Sequence, residues 1–394
     1  MGAADRYRDD AVGVGFCSRG WIMVLAEPLS AQRVGQGSFG RAAQGDFQRL
    51  SFTGSGKEYF GIWIVNVLLT IVTLGIYSAW AKVRRNRYFY GNTVLLGRGF
   101  EYHARGGQIL IGRLIVFAYL IIYNILLTFV PLAGIALLLL FLCFVPWLVA
   151  RGLRFSARVT SYRNVRFDFV GRAGGAFLAF IVGPVIAALT LGILAPLASR
   201  WTYRYIGNNL RYGQKAFSTD PSIGTIYKSW AISAAIIILG LLIVGFFAFL
   251  NFAVFATAIE GPDLLSAEMQ MSLGVLIVLG YILFFAIFGA AALVYRAGVR
   301  NVAWSAATFD GKHRLLSDLS RLRYTWIAIS NVLVTLVTLG LMRPWAAVRM
   351  ARYVNEHTGV RFDGNVGEIF AAIAQEGSAV GAEFMDIEGF DFGF

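Results

Sequence analysis

Three stretches of the chain place arginine, tryptophan and tyrosine at helical spacing directly after an apolar segment. They read TLGIYSAWAKVRRNRYFYGNT from residue 73, TLGILAPLASRWTYRYIGNNL from residue 190 and TLGLMRPWAAVRMARYVNEHT from residue 338. Spacings of three and four residues bring the arginines to one face of a helix. Guanidinium groups on one face can hold phosphate through bidentate hydrogen bonds, so the chemistry that these stretches could perform is the binding of an anion.

Each stretch has the amphipathic character of a helix that lies in the headgroup region of a membrane, and we call these three helices the arms. Two interpretations stay open. The arms only anchor the protein, or they form a site for a lipid headgroup or another anionic ligand where they meet. The candidate ligand- and lipid-binding residues are Trp80, Arg84, Arg87, Tyr88, Arg204, Tyr205, Trp345, Arg349, Arg352 and Tyr353.

Polar side chains also occur inside the apolar segments that precede the first and third arms. Their spacing places three of them on one helical face in each segment. Hydrogen bonds between helices are one role, with about 0.6–2 kcal/mol of stabilisation per contact, and a polar lining for a neutral solute or a headgroup is the alternative. These intramembrane residues are Asn66, Thr70 and Thr73, and Asn331, Thr335 and Thr338.

The chain lacks the local motifs of common enzyme and metal sites. No P-loop, HExxH or GxSxG sequence occurs, and we expect no enzyme activity, no metal and no cofactor. No carboxylate or base lies in the middle of an apolar segment, which argues against proton-coupled transport. An enzyme acting on a lipid headgroup would depend on the acid and base residues of the connectors, which are Glu101, His103, Asp168, Asp310, His313 and Asp363.

The elements that must position these residues are apolar helices. The composition is 57% hydrophobic and only 14% charged, whereas a soluble protein carries roughly a quarter charged residues. Because a span needs about 20 apolar residues with internally paired backbone, we predict an all-α polytopic membrane protein with about seven hydrophobic helical segments. The segments are 59–79, 109–130, 135–150, 176–195, 230–256, 272–295 and 324–342.

The repeated arms indicate internal duplication. We predict a disordered N-terminal tail at 1–45 and a membrane domain at 46–366, followed by an acidic, glycine-rich C-terminal tail at 367–394. The repeats inside the membrane domain start near residues 54, 171 and 319. The net charge of +13 is concentrated beside apolar segments, so we expect anionic headgroups of the lipid bilayer as partners and no nucleic acid. Self-association into a homo-oligomer stays open.

The distribution of Lys and Arg predicts the topology, because basic loops stay in the cytoplasm. The turn at 131–134 and the loop at 257–271 contain no Lys or Arg, so they are the outward tips of two helical hairpins. The segment at 174–197 connects two basic loops. Either it crosses the membrane against the charge rule, or it is re-entrant together with the segments at 59–79 and 324–342.

We favour re-entrant segments with both ends in the cytoplasm. This interpretation predicts that the turns at Gly75, Gly192 and Gly340 pack inward against the two hairpins, since irregular backbone at membrane depth needs shelter. The connectors between the helices have strand character and predict a small cytoplasmic sheet. These connectors lie at 93–104, 164–171, 307–313 and 359–367.

The stretch GKEYFGIWIVNVLLTIVTLGIYSAWAKVRRNRYFYGNT resembles the YjgN family of bacterial inner-membrane proteins, and the likeness extends from about residue 47 to residue 364. The resemblance implies a bacterial inner-membrane location and a multi-span helical fold, but no molecular activity. Our leading expectation is transport or channel-like passage of a small solute or a lipid. The alternative is a membrane-organising protein that binds anionic lipid, and the third is an enzyme acting on a lipid headgroup. The basic loops and the C-terminus are expected in the cytoplasm.

Overall fold

The computed structural model describes residues 47–384 with the exception of 253–255, 257–258, 260 and 262–265. The predicted N-terminal tail at 1–45 therefore lies outside the described residues. Within them, one structural unit occurs five times around a ring. Each unit is a strand, two antiparallel helices and a second strand that pairs with the first.

The first, third and fifth units have short helices and contain the three arms. The first unit consists of β2 (Ser51–Phe52), α1 (Gly56–Val72), α2 (Ser78–Asn92) and β3 (Thr93–Leu95). The third consists of β6 (Val165–Phe169), α5 (Ala173–Leu189, with a π-helical turn at Leu178–Val182), α6 (Ala195–Asn209) and β7 (Leu210–Tyr212). The fifth consists of β10 (His313–Ser317), α9 (Arg321–Val337), α10 (Arg343–Glu356) and β11 (Thr358–Arg361).

The second and fourth units have the same order of elements with longer helices. The second consists of β4 (Arg98–Tyr102), α3 (Gly106–Phe129), α4 (Pro131–Arg158) and β5 (Thr160–Tyr162). The fourth consists of β8 (Lys215–Thr219), α7 (Ile223–Leu250), α8 (Ala267–Ser305) and β9 (Ala307–Phe309). The predicted outward-tipped hairpins are thus long versions of the repeated unit. A final helix, α11 (Val366–Phe384), begins where we predicted the C-terminal tail.

The strands form one eleven-stranded sheet across the described part of the chain. Tight turns join consecutive units, and their residues take positive φ, as at Leu96 (50°) and Gly97 (75°), which matches the twist of paired strands. The first strand closes the ring, because β1 (Gln48–Arg49) pairs with β11 while β2 pairs with β3. Only Leu50 separates β1 from β2, so the sheet is a nearly closed barrel.

The prediction of an all-α fold with about seven spanning segments is wrong. In the described residues four helices are long and apolar enough to cross a membrane, namely α3, α4, α7 and α8. The segments at 59–79, 174–197 and 324–342 instead belong to the short units, whose two helices both return to the sheet. The large sheet was missed because each of its strands has only two to five residues, and such short strands leave little pattern in the sequence.

A repeated threonine turn ends the first helix of each short unit. Leu74 and Gly75 take φ of 49° and 90°, and the Gly75 amide bonds the carbonyl of Thr70 at 3.0 Å. Leu191 and Leu339 repeat this geometry, and the three leucines are 94%, 94% and 95% exposed. The prediction that these turns pack inward against the long hairpins is therefore wrong, apart from one hydrogen bond from Trp230 Nε1 to the Gly192 carbonyl at 2.8 Å.

The interior of the ring of strands is an apolar core. Inward-facing aromatic and aliphatic side chains surround a residual cavity of about 60 Å³ with no polar lining. Helix α11 closes the end of the barrel that lies away from the other helices, because its Phe370 and Ile373 are 8% and 2% exposed. The lining residues are Leu95, Phe100, Tyr162, Phe167, Tyr212, Phe217, Phe309, Leu315, Val360, Phe362 and Phe370.

Candidate functional site

Two of the predicted ligand-binding arginines hold neighbouring units together. Arg87 Nε and Nη2 donate to the carbonyl oxygens of Tyr102 and Ala104, both at 3.3 Å. Arg352 Nη2 donates to the carbonyl of Gly54 at 3.2 Å, across the closure of the ring. In each case the last acceptor lies two residues beyond the strand that begins the next unit.

The other units contain the same clasp with residues that the sequence analysis missed. Arg154 bonds the carbonyls of Phe169 at 2.9 Å and Gly171 at 3.3 Å. Arg200 donates to the carbonyl oxygen of Pro221 at 3.0 Å. Asn301 Nδ2 donates to the carbonyl oxygen of Leu319 at 2.8 Å. In the third unit Arg204, on the second arm, occupies the position equivalent to Arg87 and forms an ion pair with Asp220 at 3.4 Å instead. The signal that could have found the clasp is a spacing of six residues before the second strand of the unit, which Arg87, Arg154, Asn301 and Arg352 share and Arg200 does not.

The three predicted tyrosines bind the start of the first helix in their own unit. The hydroxyl groups of Tyr88, Tyr205 and Tyr353 donate to the carbonyls of Ser55, Arg172 and Ser320 at 2.8, 3.0 and 3.1 Å. Burial raises the pKa of Tyr205 to about 12 and also raises the pKa of Tyr88 and of Tyr353. All three are therefore neutral donors at physiological pH and fix the two helices of a unit.

The polar residues of the apolar segments meet the arms in two of the short units. Arg84 Nη1 donates to Asn66 Oδ1, and Arg349 Nη1 donates to Asn331 Oδ1, both at 3.3 Å. Arg349 also bonds Ser330 Oγ at 2.8 Å. The sequence predicted both residue sets but did not pair them. Each asparagine therefore links the two helices of its hairpin.

The threonines bond within their own helices and turns. Thr70 and Thr335 donate to the carbonyls of Asn66 and Asn331, both at 2.6 Å. Thr73 Oγ1 accepts from the amide of Tyr77, and Thr338 Oγ1 accepts from that of Met342, both at 3.1 Å. These hydroxyl groups end the helices and start the arms, so the predicted polar face is satisfied locally.

Tryptophans of the arms pack on glycines of the following unit. The ring of Trp345 lies against Gly56 and that of Trp80 lies against Gly106, so closely that a Cβ atom at either glycine would overlap the indole. Phe60 adds a ring contact to Trp345 with centroids 5.1 Å apart. The contact of Trp345 with Gly56 joins the fifth unit to the first, and a groove lies beside it.

This groove has a volume of about 980 Å³. One wall is the start of α1, with Ser55, Gly56 and Lys57. The opposite wall is the hairpin of α9 and α10. This wall contributes five of the predicted site residues, which are Asn331, Trp345, Arg349, Arg352 and Tyr353.

The charged side chains of the groove are mostly basic. Lys57, Arg323, Arg349 and Arg352 line it together with one carboxylate, Glu356. The Arg323 guanidinium lies over the Tyr353 ring at 5.5 Å, and no ion pair of Lys57 or Arg323 is found within the residues described. The Nε of Arg352 is buried and has no hydrogen-bond partner among the described residues. This cation cluster can bind an anion.

The contact between the first and second units is the internal counterpart of the contact beside the groove, since Trp80 lies on Gly106 as Trp345 lies on Gly56. At the positions of Arg349, Arg352 and Trp345 this counterpart has Arg84, Arg87 and Trp80. Four positions differ in charge: Glu58 corresponds to Arg323 and Gly91 to Glu356, whereas Gly107 corresponds to Lys57 and Arg105 to Ser55. Sequence reasoning missed Lys57 and Arg323, and the reversal of charge between two repeats is the signal that could have found Arg323.

The acid and base residues of the connectors do not form one site. Ser161 Oγ donates to Glu101 at 2.9 Å and lies 2.7 Å from His103 Nε2. The carboxylate is 3.4 Å from that same Nε2, so it does not orient the imidazole through Nδ1 as a catalytic triad requires.

The remaining acid and base residues lie elsewhere on the sheet. Asp168 pairs with Arg158 at 3.0 Å. His313 is buried in the barrel and its Nδ1 accepts from the amide of Asp363 at 3.1 Å. Burial lowers the pKa of His313, although Asp310 and Asp363 oppose this effect. Among residues 47–384, outside the gaps given above, no cluster of three potential metal ligands occurs.

A barrel-like ring of strands that bears two long apolar hairpins and a basic groove beside its short hairpins defines a polytopic membrane protein. Residues 47–387 match the family described as "Bacterial protein of unknown function (DUF898)", and the chain belongs to this family. The predicted YjgN resemblance is confirmed by relatives that are named inner membrane protein YjgN. The location is thus a bacterial inner membrane.

Two of these relatives show how far the similarity extends. The protein from Salmonella typhimurium is 26% identical over 361 residues, which cover 80% of this chain and 88% of the relative. The protein from Escherichia coli strain K12 is 39% identical over 142 residues, which cover 36% of either chain. No solved structure matches the chain.

Proposed function

We propose that this protein is a non-enzymatic lipid-handling protein that binds a phospholipid from one leaflet, with the headgroup phosphate in the groove between the fifth and first units. The observation that carries the proposal is the combination of four cations with a tryptophan-rich wall in one cavity of about 980 Å³. Arginine and lysine bind phosphate, and aromatic side chains favour the interface between headgroups and hydrocarbon.

The short units support a position of the groove at headgroup depth. Helix α9 has 17 residues and so a length of about 25 Å, too short to cross a hydrocarbon core of about 30 Å comfortably. Its end is apolar and exposed, with Val337 and Leu339 at 84% and 95%. The hairpin therefore inserts its tip into one leaflet while the charged groove stays near the surface.

The same hairpin offers a path for acyl chains. Trp326 at the groove is 64% exposed, and Leu333 and Val337 continue the apolar surface toward the tip with 55% and 84% exposure. A lipid that places its phosphate beside Arg349 can lay its chains along this surface. An anionic solute without chains would leave it uncovered.

The sheet supports lipid handling over passage of a solute through the barrel. Aromatic side chains fill the barrel interior, and the remaining cavity of about 60 Å³ has no polar lining. We place the sheet on the cytoplasmic side, because the tip at 131–134 and the loop at 257–271 carry no Lys or Arg and the sheet carries many. The groove then faces the cytoplasmic leaflet.

The experiment is lipid retention after purification in mild detergent. Bound phospholipid is extracted from the wild type and from the double variant Lys57→Gln with Arg349→Gln, and is quantified by mass spectrometry. The matched control is Arg84→Gln, which removes the repeat equivalent of Arg349 outside the groove. Loss of lipid in the double variant alone supports the proposal. Equal retention in all three proteins would show that the groove binds no lipid.

A further inference from the structure

We infer that the groove selects phospholipids whose headgroup carries phosphate charge without an ammonium group. This inference rests on the proposed function and names the class of lipid. Phosphatidylglycerol has the selected chemistry, whereas phosphatidylethanolamine carries an ammonium group next to its phosphate. The selection follows from the balance of charge around the cavity.

The groove provides strong sites for phosphate and little for an ammonium group. Four cations line it, and the single carboxylate of its lining is Glu356. The other acidic residue near this wall, Glu58, already accepts a hydrogen bond from the amide of Ser55 at 3.2 Å in the capping box of α1. An ammonium group bound beside the phosphate would lie among like charges in a partly desolvated cavity.

The cations approach the ligand from two ends of the chain. Lys57 is at the second position of α1, where the positive end of the helix dipole adds to its charge. Arg323 and Arg349 come from α9 and α10 on the opposite wall. A phosphate between the walls receives charge from both sides, so a headgroup that neutralises the phosphate with its own cation loses this advantage.

The internal counterpart indicates which residues create the selection. The contact between the first and second units keeps arginines equivalent to Arg349 and Arg352, but it has Glu58 in place of Arg323 and Gly107 in place of Lys57. It also has Arg105 in place of Ser55 and Gly91 in place of Glu356, so its charges lie at other positions. The cations at these two positions, Arg323 and Lys57, are therefore present between the fifth and first units and absent at the equivalent positions between the first and second. Arg323 and Lys57 are the residues that specialise the groove between the fifth and first units for an anion.

The test is competition between headgroups on the full-length protein. Delipidated protein in mixed micelles receives equal amounts of phosphatidylglycerol and phosphatidylethanolamine with identical chains, and native mass spectrometry counts each bound species. We expect phosphatidylglycerol to exceed phosphatidylethanolamine by about tenfold, since charge-assisted hydrogen bonds of about 1.5 kcal/mol give that ratio. Arg323→Glu, which introduces the acidic residue found at the equivalent position of the first unit, is expected to abolish the preference.

Matched measurements keep the outcomes separate. Arg323→Gln is the milder variant in case the charge reversal impairs folding, and Arg211→Gln on β7 is the control for an exposed arginine outside the groove. Equal binding of both lipids that is lost in Lys57→Gln with Arg349→Gln would overturn the selection and leave the proposed function intact. Binding that ignores all groove variants would overturn both.

A lipid headgroup and free phosphate present the same chemistry to the groove. A third measurement distinguishes between them. Inorganic phosphate is added at increasing concentration while bound phosphatidylglycerol is counted. We expect no displacement at millimolar phosphate, since the acyl chains contribute apolar contacts along α9. Complete displacement, with phosphate alone stabilising the wild type but not Arg323→Gln, would identify the groove as a phosphate site and overturn the lipid assignment.

Discussion

Arg352 donates a hydrogen bond to the carbonyl oxygen of Gly54, a residue 298 positions earlier in the sequence. The equivalent clasps of Arg87 and Arg154 join units that a tight turn already connects covalently. No turn connects β11 to β1, so the closure of the ring depends on non-covalent contacts. The groove lies directly beside this closure, because Gly54 precedes the residues of its first wall.

The first prediction concerns this closure. We expect Arg352→Ala to destabilise the protein by about 1.5–3 kcal/mol, the cost of losing a hydrogen bond to a charged group. Amide hydrogen exchange should rise at Leu50, which bonds the carbonyl of Thr358 at 3.1 Å. Arg87→Ala is the matched control, since it should leave the exchange of Leu50 unchanged. Equal exchange at Leu50 in both variants would contradict a special role for Arg352.

The second prediction is a dependence of the closure on pH. Arg49 bonds Asp318 across the closure at 2.6 Å, and this hydrogen bond holds the pKa of Asp318 below its usual range. Because the pKa is depressed in the folded state, the stabilisation is present above the unfolded pKa of about 4 and is lost as pH falls through the folded pKa. The midpoint of thermal unfolding should therefore fall less on acidification below about pH 4 in Asp318→Asn than in the wild type. An identical pH profile for both proteins would exclude the contribution.

The repeats allowed much of the local structure to be predicted from the sequence. The threonine turn and the arms recur with fixed spacing, and the helices α1, α5 and α9 follow the predicted repeat starts by two residues. The strand character of the connectors is confirmed. These features depend on neighbouring residues, so a local pattern contains them.

The closed sheet and the groove could not be predicted in the same way. The pairing of β1 with β11 joins residues from the two ends of the chain and leaves no local pattern. The length of the apolar helices also hid the identity of the long hairpins as copies of the repeated unit. Lys57 and Arg323 belong to different units, so only the three-dimensional arrangement shows that they face one cavity.

The third prediction places the sheet and the long hairpin on opposite sides of the membrane. In a background without Cys17 and Cys143, single cysteines replace Leu132 at the start of α4, next to its turn with α3, and Gln214 in the turn between β7 and β8. A membrane-impermeant thiol reagent should label Leu132→Cys in intact cells and Gln214→Cys only after lysis. Labelling of Gln214→Cys from outside would reverse the proposed orientation and remove the groove from the cytoplasmic leaflet.

The fourth prediction concerns the depth of the short hairpins. A spin label at Leu339, or at the equivalent Leu191, should collide with oxygen more often than with a water-soluble nickel complex, because the proposed function puts both tips in hydrocarbon. A label at Gln214 should show the opposite ratio. Nickel access at the tips equal to that at Gln214 would mean that the short hairpins lie outside the bilayer.

The last prediction concerns the helix that closes the barrel. Phe370 of α11 contacts the aromatic rings of Tyr162, Tyr212 and Phe362 at centroid distances of 5.5, 6.3 and 5.6 Å, and it is 8% exposed. Truncation to alanine should destabilise the protein by about 3–5 kcal/mol, since a buried phenylalanine is replaced by a cavity. Thermal unfolding of Phe370→Ala measures this loss, and Phe370→Leu should lose much less because it refills most of the volume. The groove lies among the short helices, at the end of the barrel opposite α11. Lipid retention by the folded Phe370→Leu protein should therefore equal that of the wild type. A fall in lipid retention would mean that α11 and the groove are coupled through the ring of strands.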